Sequence, residues 1–208
     1  MPLSLLILVA AIQGLTEFLP VSSSGHLVLI PIVTDFAYQG RVIDVAAHVG
    51  TLAAVAFYLR AEIIVIAVAM LRFGRNDPDH ARLGIMLILA TIPVIIAGYI
   101  VNYANWQWLD MVYSLAIANL VFAVILWFAD KVPAARRDLG QISWRHALIV
   151  GIAQIFALIP GASRSGVTMS AARFLGYERV TAARFSLLLS LPTIAGAGLL
   201  KTLDLVKS

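Results

Sequence analysis

Two polar stretches interrupt apolar sequence in this chain, and between them they hold most of the residues able to do chemistry. The first is Gln13-Gly-Leu-Thr-Glu-Phe-Leu-Pro-Val-Ser-Ser-Ser-Gly-His26 and the second is Gln154-Ile-Phe-Ala-Leu-Ile-Pro-Gly-Ala-Ser-Arg-Ser-Gly166. In each, Gly follows Gln by twelve positions and closes a Ser-x-Ser-Gly run that comes after a Pro. Carboxylates, guanidinium groups and hydroxyls are costly inside apolar segments, so they mark a candidate site. Their duplication suggests a site built from two halves.

Glu17 is the only carboxylate of the first stretch. It could face water at a hairpin tip; beside hydroxyls and His26 it also has what hard-cation binding or proton transfer requires. Ser22, Ser23 and Ser24 can cap a helix or satisfy freed carbonyls, and one of them could be a nucleophile activated by His26 or Glu17. Gly25 lets a ligand approach the backbone closely, and amides 25–28 entering a helix favour an anion. His26 follows Ser23 by three positions, which puts the two on one helical face.

In the second stretch, Arg164 lies among Gly161, Ser163, Ser165, Gly166 and Thr168. A guanidinium flanked by hydroxyls and glycines suits bidentate phosphate binding. Ser22, Ser24, Gly25 and Gln13 are candidates for the same phosphate from the first stretch. Arg164 could instead pair with Glu17, and the two roles can alternate, with the pair closed when no phosphate is bound. Gln13 and Gln154 are equivalent positions that can satisfy freed backbone groups; Gln13, four residues before Glu17, could also reach a ligand. Asp44 and His48 share a helix face and read as a hydrogen-bonded pair at a membrane interface, with a metal pair as the alternative.

These residues must be positioned by membrane elements. The 208 residues are 61% hydrophobic and 12% charged, with mean hydropathy +0.93, against roughly 25% charged in soluble domains. The pI near 9.7 does not indicate nucleic acid, because the charges fall in loops between apolar segments. No cysteine is present, so thiol chemistry is excluded. The N-terminus shows neither the basic region nor the cleavage site of a removable signal peptide.

A spanning helix needs about 20 apolar residues. Segments Val42–Leu71, Leu83–Val101, Met111–Ala129 and Phe185–Leu200 are the candidates; Arg60 and Glu62 interrupt the first, leaving Val45–Leu59 and a tilted or interfacial extension. Leu3–Thr16 and Ala147–Ile159 are too short and run into the polar stretches. Each reads as helix, break and helix, entering and leaving on one side. Arg72, Arg75 and Arg82, then Lys131, Arg136, Arg137 and Arg145, and finally Arg173, Arg179 and Arg184 make ten of the fifteen basic residues. The positive-inside rule places all ten on the cytoplasmic side. Loop 102–110 has none, and Trp106, Trp108 and Trp144 read as interfacial anchors.

The expected fold is therefore an all-α polytopic membrane protein with an inverted-topology repeat, two re-entrant helix hairpins and about four full transmembrane helices. It forms a single integral membrane domain over 1–208, with repeat one at about 1–130 and repeat two at about 143–208. Such repeats place their site near the midplane, where the broken helices meet. The repeat would call for two spans more than repeat two contains; a natural short form, a cut sequence, or a partner such as a second copy in a homodimer would account for this.

At these residues the chain resembles the undecaprenyl-diphosphate phosphatase family, the bacitracin-resistance phosphatases of bacterial inner membranes. Gln13 through His26 fits (E/Q)-x-x-x-E-F-L-P-V-S-S-[ST]-G-H, and Pro160 through Thr168 fits P-G-x-S-R-S-G-x-T. The resemblance implies removal of the terminal phosphate from a polyprenyl diphosphate, a Mg²⁺ or Ca²⁺ ion held partly by Glu17, and a site open to the periplasm. It implies Glu17, Ser23, His26 and Arg164 as catalytic residues, and bacitracin acting on the substrate lipid. Ser23, His26 or a metal-bound water remain open as the nucleophile. Gln13 stands where some members carry glutamate.

Two rivals remain. Phosphatases of the phosphatidic-acid type share Ser-Gly-His, here Ser24 to His26, but need a histidine soon after Ser-Arg, and none follows His146. A polyprenyl-phosphate flippase would share the inverted repeat. Against it, Glu17 and His26 face Leu158 and Val167 at the equivalent positions, and Arg164 faces Ser23.

Overall fold

The computed structural model describes residues 2–104, 112–135 and 137–207. Among them every long element is a helix: α1 Leu3–Thr16, α2 Ser23–Val33, α3 Arg41–Tyr58, α4 Arg60–Leu71, α5 Pro78–Ala104, α6 Val112–Asp130, α7 Trp144–Ala153, α8 Arg164–Phe174 and α9 Arg179–Lys207. Trp106, Trp108 and Arg136 lie outside the described residues, as do residues 105–110 of the expected loop 102–110, whose first three residues belong to α5. Trp144 opens α7, more than half exposed, with the Arg145 guanidinium 5.2 Å from its ring centroid.

Among the described residues three helices are long and apolar enough to cross a membrane: α5 over Pro78–Val101, α6 over Tyr113–Asp130 and α9 over Arg179–Gly198. A fourth span results if α3 and α4 count as one, but they bend by 76° at Leu59. Both charges at this break find partners. Arg60 donates to the Phe57 carbonyl at 2.9 Å, and Glu62 pairs with Arg184 of α9 at 3.0 Å. The span expected at Phe185–Leu200 begins earlier, at Arg179. Its first two turns tolerate Arg179 and Arg184 because each has a carboxylate, Asp130 at 2.6 Å for the former and Glu62 for the latter.

Helices α1, α2, α7 and α8 have 10–14 residues, at about 1.5 Å each too short for a bilayer core of about 30 Å. Pro20 and Pro160 stand in the breaks between α1 and α2 and between α7 and α8. In both, a serine restarts the helix by accepting a backbone N–H three residues on, Ser22 from Gly25 and Ser163 from Gly166, each at 3.2 Å. Such caps satisfy a donor that the first helical turn leaves free.

One buried cluster joins α3, α4, α5, α7, α8 and α9 around Ala90, Ala147, Leu188 and Leu189, while Leu5, Val9, Leu27 and Ile30 zip α1 to α2. A Cβ on Gly151 would lie 2.4 Å from the Ala90 carbonyl oxygen, so glycine lets α7 meet the backbone of α5. Close approach over small residues is how helices pack in lipid, which offers them no hydrophobic drive to associate. The outer surface stays apolar, with Leu3, Ile7, Val33, Tyr113 and Leu120 largely exposed.

The basic loops converge at one end. Arg173 is buried and donates to the carbonyls of Tyr177 at 2.6 Å, Asp130 at 3.0 Å and Val132 at 2.6 Å. Arg137 donates to the Leu175 carbonyl at 2.7 Å. The segment after α6 is thereby fastened to the turn between α8 and α9.

Candidate active site

The two breaks meet tip to tip. Ser165 donates to the Leu19 carbonyl at 2.6 Å, and the Arg164 Nη2 lies 3.4 Å from Glu17 Oε1. The side chains of Glu17 and Arg164 are 7% and 13% exposed, so this is an ion pair largely removed from water. It spans 147 positions of sequence.

Glu17 is the hub. Its Oε2 accepts from Ser23 Oγ at 2.7 Å and from Gln13 Nε2 at 2.8 Å. His48 of α3 brings Nε2 to 3.5 Å from the same oxygen. Arg164 is held from its other side by the Ser186 carbonyl of α9 at 3.4 Å. One carboxylate, in the turn after α1, thus collects a hydroxyl, an amide, an imidazole and a guanidinium from four helices. Ser23 hydrogen-bonded to a carboxylate has a proton acceptor in place, and Arg164 offers donors to an anion.

The three serines of the first tip divide. Ser22 is the cap, Ser24 pairs with Ser22 at an Oγ–Oγ distance of 3.2 Å, and Ser23 alone reaches Glu17. The second tip repeats the arrangement, with Ser163 as the cap and Ser165 paired to it at 3.0 Å. Gly25 and Gly166 occupy the same place, each giving its N–H to the cap. Gln13 and Gln154 are both fully buried; Gln154 donates to Thr193 of α9 at 3.0 Å.

Several residues expected to contact phosphate have structural partners here. Thr168 is fully buried and bonds Ser186 at 2.7 Å and the Arg164 carbonyl at 2.9 Å, which seats α8 on α9. Gly161 has φ +94°, and a Cβ there would sit 2.2 Å from the Leu115 carbonyl oxygen. Its glycine serves a left-handed turn and close packing on α6. His26 is exposed, with Nδ1 2.8 Å from the Ser22 carbonyl; its ring folds back on its own helix turn, and the structure does not bring it to Ser23 or Glu17.

Asp44 and His48 do bond, but not through the carboxylate. His48 Nδ1 meets the Asp44 carbonyl at 2.7 Å, while the Asp44 carboxylate accepts from Tyr38 at 2.6 Å and Gln39 at 2.8 Å. Sequence reasoning missed His48 as a member of the Glu17 cluster. Its only signal was a histidine placed mid-way along an apolar helix. His48, Arg164, Gln154 and Thr193 also line a cavity of about 210 Å³ whose other walls are mostly apolar.

The family model described as Bacitracin resistance protein BacA matches residues 6–208. The chain belongs to this family. It is 48% identical over 198 residues to the undecaprenyl-diphosphatase of Dinoroseobacter shibae, covering 93% of this chain and 73% of that protein. The undecaprenyl-diphosphatase of Roseobacter denitrificans is 48% identical over 206 residues, covering 97% and 76%. That of Maricaulis maris is 46% identical over 212 residues, covering 100% and 78%. Both polar tips of this BacA family chain fall inside the matched residues, so the Glu17–Arg164 pair is built from segments that the family model itself covers.

Proposed function

We propose that the chain is an undecaprenyl-diphosphate phosphatase. It hydrolyses the terminal phosphate of a polyprenyl diphosphate to polyprenyl phosphate and inorganic phosphate, recycling the lipid carrier for peptidoglycan synthesis. The observation that carries this reading is Ser23 and Arg164 converging on one buried carboxylate, Glu17, in a chain that is 48% identical to named undecaprenyl-diphosphatases. Bacitracin is read as a ligand of the substrate lipid.

The diphosphate enters beside the tips with its prenyl tail in lipid. Arg164 turns from Glu17 to the terminal phosphate, two of whose non-bridging oxygens match its fork of donors. Glu17, released from Arg164, takes the proton of Ser23 as the Ser23 Oγ attacks the terminal phosphorus. The Oγ–P bond forms, the bridging P–O bond breaks, and polyprenyl phosphate leaves. Water then cleaves the phosphoserine and releases inorganic phosphate, with Ser23 regaining a proton. Arg164 offsets charge on the phosphoryl oxygens throughout.

A divalent cation fits this site in a limited way. Among the described residues no three His, Asp or Glu side chains converge as ligands. Glu17 accepts from the Ser23 hydroxyl, however, and Gln13, whose Nε2 donates to the same carboxylate, keeps a buried Oε1 that has no hydrogen-bond partner. One carboxylate with neutral oxygens suits Mg²⁺, or Ca²⁺, completed by water and substrate phosphate. Glu17, Gln13 and Ser23 would hold it, and it would supply charge neutralisation at the phosphates.

The matched caps and serine pairs of the two tips support an inverted repeat with two re-entrant hairpins. The unlike residues at equivalent places, Glu17 against Leu158 and His26 against Val167, support an enzyme over a flippase. Clustering of Arg137 and Arg173 at one end supports placing that end in the cytoplasm of an inner-membrane protein. The chain has no cysteine, so single cysteines at Ala37 and Ala134, both exposed, report the topology directly. They should label from the periplasm and the cytoplasm respectively; labelling of both from one side would refute the orientation.

The activity is tested by phosphate release from a polyprenyl diphosphate in detergent, with the polyprenyl monophosphate and Ser23→Ala as controls. Release from the diphosphate alone, lost in Ser23→Ala, is expected. Equal release from both lipids, or from Ser23→Ala at the wild-type rate, would count against the mechanism.

A further inference from the structure

We propose that the seam between α3 and α9 admits the prenyl diphosphate from the bilayer and holds the first isoprene units of its tail, a proposal that rests on the phosphatase reading above. The seam leads into the cavity of about 210 Å³ beside Arg164. Arg164 and His48 both line this cavity, and their side chains reach the Glu17 carboxylate at 3.4 and 3.5 Å. One end of the cavity is therefore the candidate active site itself.

Most of the remaining wall is hydrocarbon. It comes from Val45 and Val49 of α3, Val94 of α5, Leu158, and Ile194 and Ala197 of α9. Gln154 and Thr193, the polar residues among them, are joined by a hydrogen bond of 3.0 Å. The cavity also opens outward. Val49 is 48% exposed and Ala197 is exposed, although both line it. Wall residues that face both the cavity and the outer surface mark its mouth, between α3 and α9. Both belong to stretches apolar enough to lie in a membrane, Val42–Tyr58 and Arg179–Gly198, so the mouth faces lipid. Small residues keep it open at this level of α9, where a Cβ on Gly198 would already lie 4.0 Å from Val49 Cγ2.

A guanidinium inside, hydrocarbon walls and a mouth on lipid fit an amphiphile that enters sideways. Its diphosphate meets Arg164 while its chain trails through the mouth. A soluble anion would make no use of the walls, and a neutral hydrocarbon would make no use of Arg164. The tail lies in hydrocarbon before and after entry, so burial offers little hydrophobic gain. What the seam offers is shape, a place for the chain that leaves the terminal phosphate beside Ser23. The cavity is smaller than the roughly 300–1,000 Å³ of sites that enclose a drug-sized ligand, so the rest of the tail stays in lipid. A larger apolar groove of about 670 Å³ runs between α6 and α8 past Phe122, Phe156 and Phe174, but neither Glu17, Ser23 nor Arg164 lines it.

The test has a labelling arm and a kinetic arm, both on the full chain in detergent. A polyprenyl diphosphate carrying a diazirine on its first isoprene unit should label α3 and α9 around Val49 and Ala197. Label on α6 and α8, around Phe122 and Phe174, overturns the proposal. Ala197→Phe and Val49→Phe block the mouth from its two sides, and both should melt near wild type because each position is exposed. Each should lower kcat/KM for the polyprenyl diphosphate roughly 10- to 100-fold, the scale on which an apolar pocket discriminates. Inhibition by inorganic diphosphate, a head without a tail, should be unchanged. Wild-type kcat/KM in both variants, or inhibition by inorganic diphosphate that weakens as far as lipid turnover does, overturns the proposal. Label at the seam with no phosphate release from wild type overturns the phosphatase reading alone. Release with label elsewhere overturns the seam alone.

Discussion

Glu17→Gln should fold and release almost no phosphate. Glutamine matches the shape of glutamate, and its oxygen can still accept from Ser23, now at 2.7 Å from the carboxylate. It cannot take the proton. Loss of a positioned general base costs roughly 10²- to 10⁴-fold, and no second carboxylate lies in this hairpin to substitute. Glu17→Ala should lose as much activity and more stability: both variants leave the Arg164 charge unpaired, and alanine also leaves Ser23, Gln13 and Arg164 with no acceptor in its place. Breaking a buried ion pair by removing one partner costs about 3–5 kcal/mol. Initial rates and thermal melts of the two variants separate the effects. A glutamine variant with wild-type kcat would remove Glu17 from the chemistry and leave it only as the partner of Arg164.

Arg164 carries the second large effect. Arg164→Ala should reduce kcat by about 10³-fold or more, the scale on which an arginine acts on a transferring phosphoryl group. Arg164→Lys keeps the charge but loses the planar fork, and should recover only a minor part. The pair with Glu17 confounds a simple reading of either variant, so the double variant Glu17→Gln/Arg164→Met decides. With both charges removed, no buried charge is left unpaired and the melting temperature should return toward wild type. Activity should not return. If restoring stability also restores phosphate release, the pair is structural and the catalytic assignment fails for both residues.

Much of the architecture was legible in sequence because its signals are local. Hydropathy marks α5, α6 and α9 without reference to any other segment. Leu3–Thr16 is too short to span and runs into Pro20, which predicts the break between α1 and α2 from length and proline chemistry alone. A cap was one of the roles open to Ser22 to Ser24, whereas Ser163, read as a phosphate contact, is shown to be a cap only by the structure. The ends of α9 and the angle at Leu59 were less legible. They depend on whether Arg179, Arg184 and Glu62 find partners, and those partners, Asp130 of α6 and each other across α4 and α9, are remote in the chain.

The candidate site shows the same division more sharply. The sequence by itself determined which residue types could do the chemistry, that they lie in two matching breaks, and that one break carries the carboxylate and the other the guanidinium. Only the tertiary structure decided that Glu17 and Arg164 touch, that Ser23 and neither of its neighbours reaches Glu17, that His26 turns away and that His48 turns in. Helical spacing fixes which residues share a face, but not which of two acceptors a ring or hydroxyl will choose. Here the Ser22 carbonyl takes His26, and the packing of α3 on α1 carries His48 to Glu17. That packing is settled by apolar contacts such as Ile43 and Ala47 against the α1–α2 core, contacts that no motif in the chain records.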